Sequence, residues 1–112
     1  MFGWLSRRSA GRDLAPEEAK ALADSGEAVL VDVREEGEWQ SGHIPGAVHL
    51  PLSRFAADSG RLPKGRRLVL YCLSGARSAR ALGECARLGL PADGHVAGGI
   101  SAWRRAGLPV TR

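Results

Sequence analysis

Segments of strand character alternate with segments of helical character along almost the whole chain. The predicted strands are, in order, residues 27–33, 47–50, 67–71 and 93–96. The predicted helices are residues 16–24, 35–41, 53–58, 78–88 and 100–106. Apolar runs such as that from Ala28 to Val31 suit strands buried on both faces, and strands joined through helices form parallel sheets. The sequence therefore predicts an α/β fold in three layers, with helices on both faces of a central, mostly parallel sheet.

The length of 112 residues, with 44% hydrophobic and 25% charged residues, is typical of one globular domain. We expect a domain over residues 13–110, preceded by a flexible N-terminal tail over residues 1–12. The tail starts with an apolar tip, Met1 to Leu5, followed by arginines, which reverses the order found in secretory signals. No segment reaches the ~18 apolar residues of a membrane helix. We therefore expect no transmembrane segment and a cytoplasmic location.

The net charge of +4 is distributed unevenly. Six basic residues lie in the terminal segments 1–12 and 103–112, whereas residues 13–102 hold ten basic and twelve acidic residues. This pattern, without interleaved aromatic residues, predicts no binding of nucleic acid. Residues 59–83 contain six basic residues and no acidic one. These residues are Arg61, Lys64, Arg66, Arg67, Arg77 and Arg80. We expect their field to attract a small anion to this part of the chain.

The two cysteines, Cys72 and Cys85, are too few for a disulfide framework. Cys85 lies roughly 12 Å along the predicted helix, beyond the reach of Cys72, because a disulfide needs Cα atoms within about 7 Å. Two free thiols fit a reducing compartment. Cys85 shares an apolar stripe with Ala81 and Leu88, which predicts packing in the core rather than a redox role.

Cys72 has a different context, since it directly follows the buried strand 67–71 and precedes a short loop into a helix. Parallel sheets bind ligands at the carboxyl ends of their strands. Loop amides can converge on the sulfur, and the helix N-terminus adds positive charge, so the nucleophilic thiolate is favoured. Gly75 permits the tight curl, and Arg77 offers a planar fork for an anion. The predicted cradle comprises Leu73, Ser74, Gly75, Ala76, Arg77 and Ser78.

Other polar residues receive structural interpretations. Asp32 ends a predicted strand and could face the crevice of Cys72, but a structural pair with Arg34 is favoured. The acidic cluster of Glu35, Glu36 and Glu38 is interpreted as the solvated first turn of a short helix.

The histidines and tryptophans are also assigned to the structure. His43, His49 and His95 lack metal-ligand spacing, so no metal is expected. His43 is expected to make a structural hydrogen bond in a turn. Trp39 and Trp103 are predicted to pack inward from helices.

Three motifs, which together span about residues 13–110, resemble those of the rhodanese (sulfurtransferase) domain family. The first is Asp32-Val33-Arg34-Glu35 with Glu38-Trp39 and Gly42-His43-Ile44-Pro45-Gly46-Ala47. The second is the loop Cys72-Leu73-Ser74-Gly75-Ala76-Arg77-Ser78. The third is Gly98-Gly99-Ile100-Ser101-Ala102-Trp103, followed by Gly107-Leu108-Pro109-Val110. The richness in Ala, Gly and Arg suggests a GC-rich bacterial genome.

The resemblance implies a single-domain, rhodanese-like fold and a cofactor-free sulfurtransferase. Cys72 would take the outer sulfur of thiosulfate, or of a persulfide donor, and become a persulfide. An acceptor (cyanide in an assay, a thiol, or a partner protein) would then remove that sulfur. The loop amides would hold the persulfide and Arg77 would help to bind the anionic donor. The family uses its Asp-x-Arg, here Asp32 and Arg34, mainly to stabilise the fold.

The spacing of Cys72 and Arg77 bears on the alternatives. Phosphatases related to this fold use Cys-x5-Arg, a larger ring of amides, whereas this chain has Cys-x4-Arg. Mercaptopyruvate enzymes of the family carry a different loop, from which Leu73 and Arg77 depart. A catalytically silent binding module stays open as an alternative, and so does a Cys-dependent phosphatase or arsenate reductase.

Overall fold

Five parallel strands form one central sheet in the computed structural model of the protein, which describes residues 12–112. The strands are β1 (Asp13–Leu14), β2 (Ala28–Asp32), β3 (Val48–His49), β4 (Arg67–Tyr71) and β5 (Ala92–Val96). The helices are α1 (Pro16–Asp24), α2 (Glu36–Ser41), α3 (Phe55–Asp58), α4 (Ala76–Leu88) and α5 (Gly99–Arg105). Two short 3-10 turns, Leu52–Arg54 and Ser59–Arg61, flank α3. The strand order is β1-β5-β4-β2-β3, and every neighbouring pair is parallel. The predicted α/β fold is therefore confirmed.

The N-terminal strand β1 is the element that the sequence did not predict. It has only two residues, Asp13 and Leu14, which lie opposite His95 and Val96 of β5. Two residues are too few to show the alternation that identifies a strand. Its position follows from pairing with β5, where the N–H of His95 also donates to the carbonyl of Arg12 at 3.0 Å. The rest of the predicted flexible tail, residues 1–11, lies outside the described residues.

The side chains of the central strands alternate between two hydrophobic clusters. In β4, Leu68 and Leu70 belong to one cluster, whereas Val69 and Tyr71 belong to the other. The first cluster also contains Phe55 of α3 and residues of α4, and the second contains residues of α1 and α5. This period of two is what a strand buried on both faces requires. Cys72 continues the alternation and joins the cluster that contains α4.

The two tryptophans differ in their burial. Trp103 of α5 is 1% exposed, which confirms its predicted place in the core. The prediction that Trp39 packs inward is wrong, because its side chain is only half-buried. Its ring stacks on the imidazoles of His43 and His49, with centroids 3.5 Å and 4.8 Å away. No residue of the six-residue helix α2 is buried. Trp39 therefore packs on the two imidazole rings and not in the core.

Candidate active site

Cys72 lies at the carboxyl end of β4, between the neighbouring strands β2 and β5. Three residues separate it from α4, which begins at Ala76 rather than at the predicted Ser78. Gly75 precedes the helix with φ of 122°, a conformation that side chains other than glycine rarely adopt. The turn at Gly75 brings the start of α4 back toward Cys72.

Hydrogen-bond donors from this turn converge on the sulfur of Cys72. The N–H of Gly75 lies 3.1 Å from Sγ and the N–H of Ser78 lies 3.3 Å from it. The hydroxyl of Ser78 lies 3.5 Å from the same sulfur. The side chains of Ser74 and Leu73 are exposed, so they do not enclose the sulfur. Of the two predicted hydroxyls, only that of Ser78 bonds to Sγ.

Helix α5 holds the outer side of the loop. The N–H of Ile100 donates to the carbonyl of Cys72 at 2.9 Å, and the N–H of Ser101 donates to that of Leu73 at 3.2 Å. The carbonyl of Leu73 faces α5, and the N–H of Ser74 in the same peptide group helps to lower the pKa of Cys72. Gly99 makes the close approach possible, since a Cβ atom there would overlap both carbonyl oxygens. Gly99 thus has a packing function at this site.

The donors change the acidity of the buried thiol. Burial by itself raises the pKa of Cys72, which is 1% exposed. The hydrogen bonds from the hydroxyl and N–H of Ser78, and from the N–H groups of Gly75 and Ser74, outweigh burial. The pKa of Cys72 therefore lies below its ordinary value. A thiolate is the more reactive form of cysteine, so the site favours a nucleophile.

Arg77 is held by the carboxylate of Glu38, which was predicted to be solvated. Its Nη1 and Nη2 atoms donate to Oε1 and Oε2 of Glu38 at 2.7 Å and 2.9 Å. The interpretation of Glu38 as a solvated residue is therefore wrong, since its side chain is 34% exposed and also accepts the N–H of Glu35. Hydrogen bonds from Arg77 lower the pKa of Glu38 to about 2. Glu38 thus fixes the fork that was predicted to bind an anion.

The basic stretch from Arg61 to Arg80 does not gather around the loop as predicted. Arg67 begins β4 and Cys72 follows its end, so about 16 Å of strand separates them. Arg67 forms an ion pair with Asp93, and Arg66 lies beside the amino end of β2. Because the basic stretch contains β4, its residues are divided between the two ends of that strand. Of the six basic residues, Arg77 and Arg80 follow the loop on α4.

Asp32 and Arg34 form a buried ion pair, which confirms the structural interpretation. Nη2 of Arg34 lies 2.7 Å from Oδ2 of Asp32, and the two side chains are 4% and 0% exposed. The same Nη2 donates to the carbonyl of Gly42 at 2.7 Å, so the pair joins the end of β2 to the end of α2. His43 makes the predicted structural hydrogen bond, with Nδ1 2.9 Å from the carbonyl of Trp39.

Two polar residues near Cys72 were not predicted to belong to its surroundings. Nδ1 of His95, on β5, lies 2.7 Å from the hydroxyl of Ser78. Nε2 of the same ring lies 2.8 Å from Oδ1 of Asp13, on β1. The signal available in the sequence is the position of His95 near the carboxyl end of a strand, because such ends meet at one edge of a parallel sheet. Within residues 12–112, no group of three or more His, Cys, Asp or Glu is placed to hold a metal.

A family match and similar sequences identify the same protein family. Residues 15–106 match the family described as "Rhodanese-like domain". A protein named "Sulfurtransferase" from Allochromatium vinosum is 39% identical over 92 residues, which cover 82% of this chain and 86% of that protein. The "Thiosulfate sulfurtransferase GlpE" of Pseudomonas savastanoi pv. phaseolicola is 37% identical over 91 residues, covering 81% and 85%. The chain spans about half (55%) of another relative, the uncharacterised protein slr1261 of Synechocystis.

A solved structure shows the same fold. It is that of a rhodanese-related protein from Thermoplasma volcanium, with a TM-score of 0.81 and 28% identity. The match covers 89% of this chain and 97% of that one. Within residues 12–112, no helix is both long and apolar enough to cross a membrane. The family match, the relatives and the fold agree that the chain belongs to the family of rhodanese-like domains.

Proposed function

We propose that this protein transfers sulfane sulfur by carrying it on Cys72 as a persulfide. The observation that supports this most is the convergence of N–H groups from Gly75 and Ser78, 3.1 Å and 3.3 Å away, on a buried sulfur. Such donors stabilise a negative sulfur, which both the thiolate and the outer atom of a persulfide carry. The names of two relatives, a sulfurtransferase and a thiosulfate sulfurtransferase, support the same class of reaction.

In the first half-reaction, the thiolate of Cys72 attacks the outer sulfur of thiosulfate. A bond forms between Sγ and this outer sulfur, while the sulfur–sulfur bond of thiosulfate breaks. Sulfite leaves with the electron pair, and the negative charge of the thiolate passes to the outer sulfur of the persulfide. No proton is needed once the thiolate has formed, which suits a cradle made of N–H donors rather than of a base adjacent to the sulfur.

In the second half-reaction, an acceptor nucleophile attacks the outer sulfur of the persulfide. With cyanide, a carbon–sulfur bond forms, the persulfide bond breaks, and thiocyanate leaves. The electron pair of the broken bond returns to Sγ, so the thiolate of Cys72 is regenerated. A thiolate acceptor reacts in the same way and leaves as a persulfide. We propose a reducing compartment such as the cytoplasm for this cycle, because Cys72 and Cys85 are both free thiols.

Arg77 contributes charge to the approach of the donor. Its guanidinium is bound to Glu38, and its charge acts on the sulfur of Cys72. An anionic donor therefore meets a positive group whose direction Glu38 fixes. Replacing Arg77 by Ala is expected to lower thiosulfate turnover strongly, by about 10-fold or more, through loss of this charge.

Mass spectrometry of the intact protein after incubation with thiosulfate tests the proposal. The expected result is the gain of one sulfur atom, located at Cys72 by peptide mapping and removed by cyanide with release of thiocyanate. Cys72→Ala is expected to gain no sulfur. Cys85→Ala is the matched control, since Cys85 is equally buried but has no role in the proposed reaction, and this variant is expected to gain sulfur like the unaltered protein.

The same experiment separates the alternatives. A folded protein that takes no sulfur from thiosulfate or from a small-molecule persulfide would overturn the catalytic proposal and favour a silent binding module. Turnover of an aryl phosphate that disappears in Cys72→Ala, with no persulfide formed, would favour a phosphatase. The short Cys-x4-Arg loop predicts that such turnover is absent.

A further inference from the structure

A continuous series of hydrogen bonds leads from Cys72 to the surface through side chains of one helix and two strands. The hydroxyl of Ser78 lies 3.5 Å from Sγ of Cys72 and 2.7 Å from Nδ1 of His95. Nε2 of His95 lies 2.8 Å from Oδ1 of Asp13. The three side chains come from α4, β5 and β1, and Asp13 and His95 are 82 residues apart in sequence. Their alignment results from the fold and not from local sequence.

The exposure of the hydrogen-bonded residues rises from Cys72 and Ser78 in the core to Asp13 at the surface. Cys72 is 1% exposed and Ser78 is fully buried. The side chain of His95 is 10% exposed, whereas that of Asp13 is 73% exposed. A thiol proton on Cys72 therefore has little direct contact with water, but the far end of the series is solvated. The series of hydrogen bonds provides a path between these two environments.

We propose that Ser78, His95 and Asp13 form a proton relay that ionises Cys72 and returns its proton; its purpose, though not its existence, rests on the proposed function. In the thiol state, the S–H donates to Ser78 Oγ, the Ser78 O–H donates to Nδ1 of neutral His95, and Nε2–H donates to Asp13. In the thiolate state, the thiol proton lies on Ser78 Oγ, and the former hydroxyl proton lies on Nδ1. Two protons have shifted by one bond each, and no proton is gained or lost.

Each residue has a distinct part in this shift. Ser78 touches the reacting sulfur and passes the proton, since its oxygen accepts one proton while it gives up another. His95 acts through Ser78 as the proton acceptor, because an imidazole is a base that side-chain amides and hydroxyls cannot replace. Asp13 is a positioning residue: its carboxylate fixes Nε2–H toward itself, which leaves Nδ1 free to accept, and it stabilises the imidazolium.

The charged groups around the relay are consistent with this direction of proton transfer. β1 contributes the carboxylate of Asp13 beside His95, and the loop after β4 contributes Cys72 itself. α4 contributes Arg77, whose positive charge acts on the sulfur. α5 presents an uncharged first turn, with its two arginines in its last turn. α1 faces the sheet with buried Ala19 and has its glutamates exposed. A negative group thus stands at the proton-accepting end and a positive group at the sulfur end.

The test measures alkylation of Cys72 by iodoacetamide as a function of pH, with the site of labelling read by peptide mapping. The key variant is His95→Gln, because glutamine can make hydrogen bonds at this position but cannot hold the transferred proton. The expected result is an upward shift of the alkylation midpoint by about 1 pH unit. Ser78→Ala, which interrupts the path, is expected to shift it at least as far. Asp13→Asn is expected to give a smaller shift in the same direction.

His43→Gln is the matched control, since His43 bonds to the carbonyl of Trp39 and is not part of the relay. It is expected to leave the midpoint unchanged. A purely structural role of His95 predicts a lower melting temperature of His95→Gln but an unchanged midpoint, and that result would overturn the relay. If His95→Gln does not fold, the exposed position of Asp13 makes Asp13→Asn the deciding variant, and an unchanged midpoint there has the same meaning.

Alkylation needs no sulfur donor, so this outcome is independent of sulfur transfer. A shifted midpoint in a protein that forms no persulfide would support the relay and contradict the proposed function. An unchanged midpoint in a protein that does form a persulfide would contradict the relay and support the proposed function.

Discussion

The two cysteines are a natural comparison, because they are equally buried and yet differ in acidity. Cys72 and Cys85 are each 1% exposed and belong to the same hydrophobic cluster. Burial, together with the charge of Glu84, raises the pKa of Cys85 to about 11. Burial acts on Cys72 too, but hydrogen bonds from Ser78, Gly75 and Ser74 bring its pKa below the ordinary value. Burial alone therefore does not decide whether a thiol in this core is reactive.

The difference follows from the place of each cysteine relative to α4. The first N–H groups of a helix have no partner within the helix, and here some of them donate to the sulfur that precedes it. Cys85 lies in the third turn, where the backbone N–H groups are already paired within the helix. A sulfur in that position has no free backbone donor nearby. One helix thus supplies donors to the first thiol and only apolar packing to the second.

Selective alkylation at pH 7 is the most direct test of this comparison. A thiol with an ordinary pKa is ionised at least about 100-fold more than one with a pKa near 11, and the thiolate is the species that reacts. We expect iodoacetamide to label Cys72 at least about 100-fold faster than Cys85 in the folded protein. Peptide mapping after timed labelling measures both rates, and equal labelling in denaturant is the control. Comparable rates in the folded state would show that the donors do not lower the pKa of Cys72.

Gly75→Ala is expected to make Cys72 more like Cys85. At φ of 122° an alanine is strained, by about 1–3 kcal/mol, although its Cβ would meet other atoms only at ordinary distances of 3.9 Å. Relief of the strain turns the Gly75 N–H away from Sγ and raises the pKa of Cys72. Denaturant unfolding and the alkylation midpoint measure the two effects.

Gly83→Ala is the matched control for this substitution. Gly83 lies in α4, is exposed, and would place its Cβ in open space. The substitution is expected to stabilise the protein by about 0.5–1 kcal/mol through helix propensity, with no change at Cys72. If both alanine variants left the midpoint unchanged, the Gly75 N–H would contribute nothing to the acidity of the thiol.

The sequence predicts the fold and the local part of the site better than it predicts the long-range part. The alternation of strands and helices, the position of Cys72 after β4 and the inert setting of Cys85 all depend on residues close in sequence. The ion pair between Glu38 and Arg77 spans 39 positions, and the contact of His95 with Asp13 spans 82. Such contacts depend on strand order and on a two-residue strand, for which no local pattern exists.

The position of Trp39 was mispredicted for a related reason. Its predicted burial rests on its place on a helix face, whereas its surroundings are the rings of His43 and His49, which a turn and β3 bring to it. The same difficulty applied to the basic residues, whose spread along the chain concealed their division between the two ends of β4. In both cases the missing information was which elements become neighbours.

Cys85→Ala tests how much the buried side chain of Cys85 contributes to the stability of the fold. Removing a buried sulfur leaves a small cavity, so we expect a loss of about 1–2 kcal/mol in the free energy of unfolding. Cys85→Ser is expected to be less stable than Cys85→Ala if the hydroxyl finds no partner in this apolar cluster. Urea denaturation measures both values. Sulfur loading of Cys72 is expected to persist in each variant, and its loss in a folded Cys85→Ala protein would contradict a purely structural role.

Glu38→Gln addresses the smallest difference between the two thiols, the charge beside each of them. The positive charge of Arg77 acts on Cys72, whereas the negative charge of Glu84 acts on Cys85. Glutamine at position 38 keeps an oxygen for the N–H of Glu35 but removes the charge that compensates Arg77. We expect Cys72 to be alkylated faster than in the unaltered protein, by less than about 10-fold because the pair is partly solvated. The rate at Cys85 is expected to stay the same.

The effect of Glu38→Gln on stability has a defined dependence on pH. Hydrogen bonds from Arg77 lower the pKa of Glu38 to about 2 in the folded protein, compared with about 4.3 in an unfolded chain. The ionised carboxylate therefore stabilises the fold fully above pH ~4.3, and this contribution is lost as the pH falls toward 2. Because the side chain is 34% exposed, we expect the variant to be less stable by under about 1 kcal/mol at neutral pH. The difference should vanish near pH 2, and a gap that stayed constant with pH would show that the ion pair is not its cause.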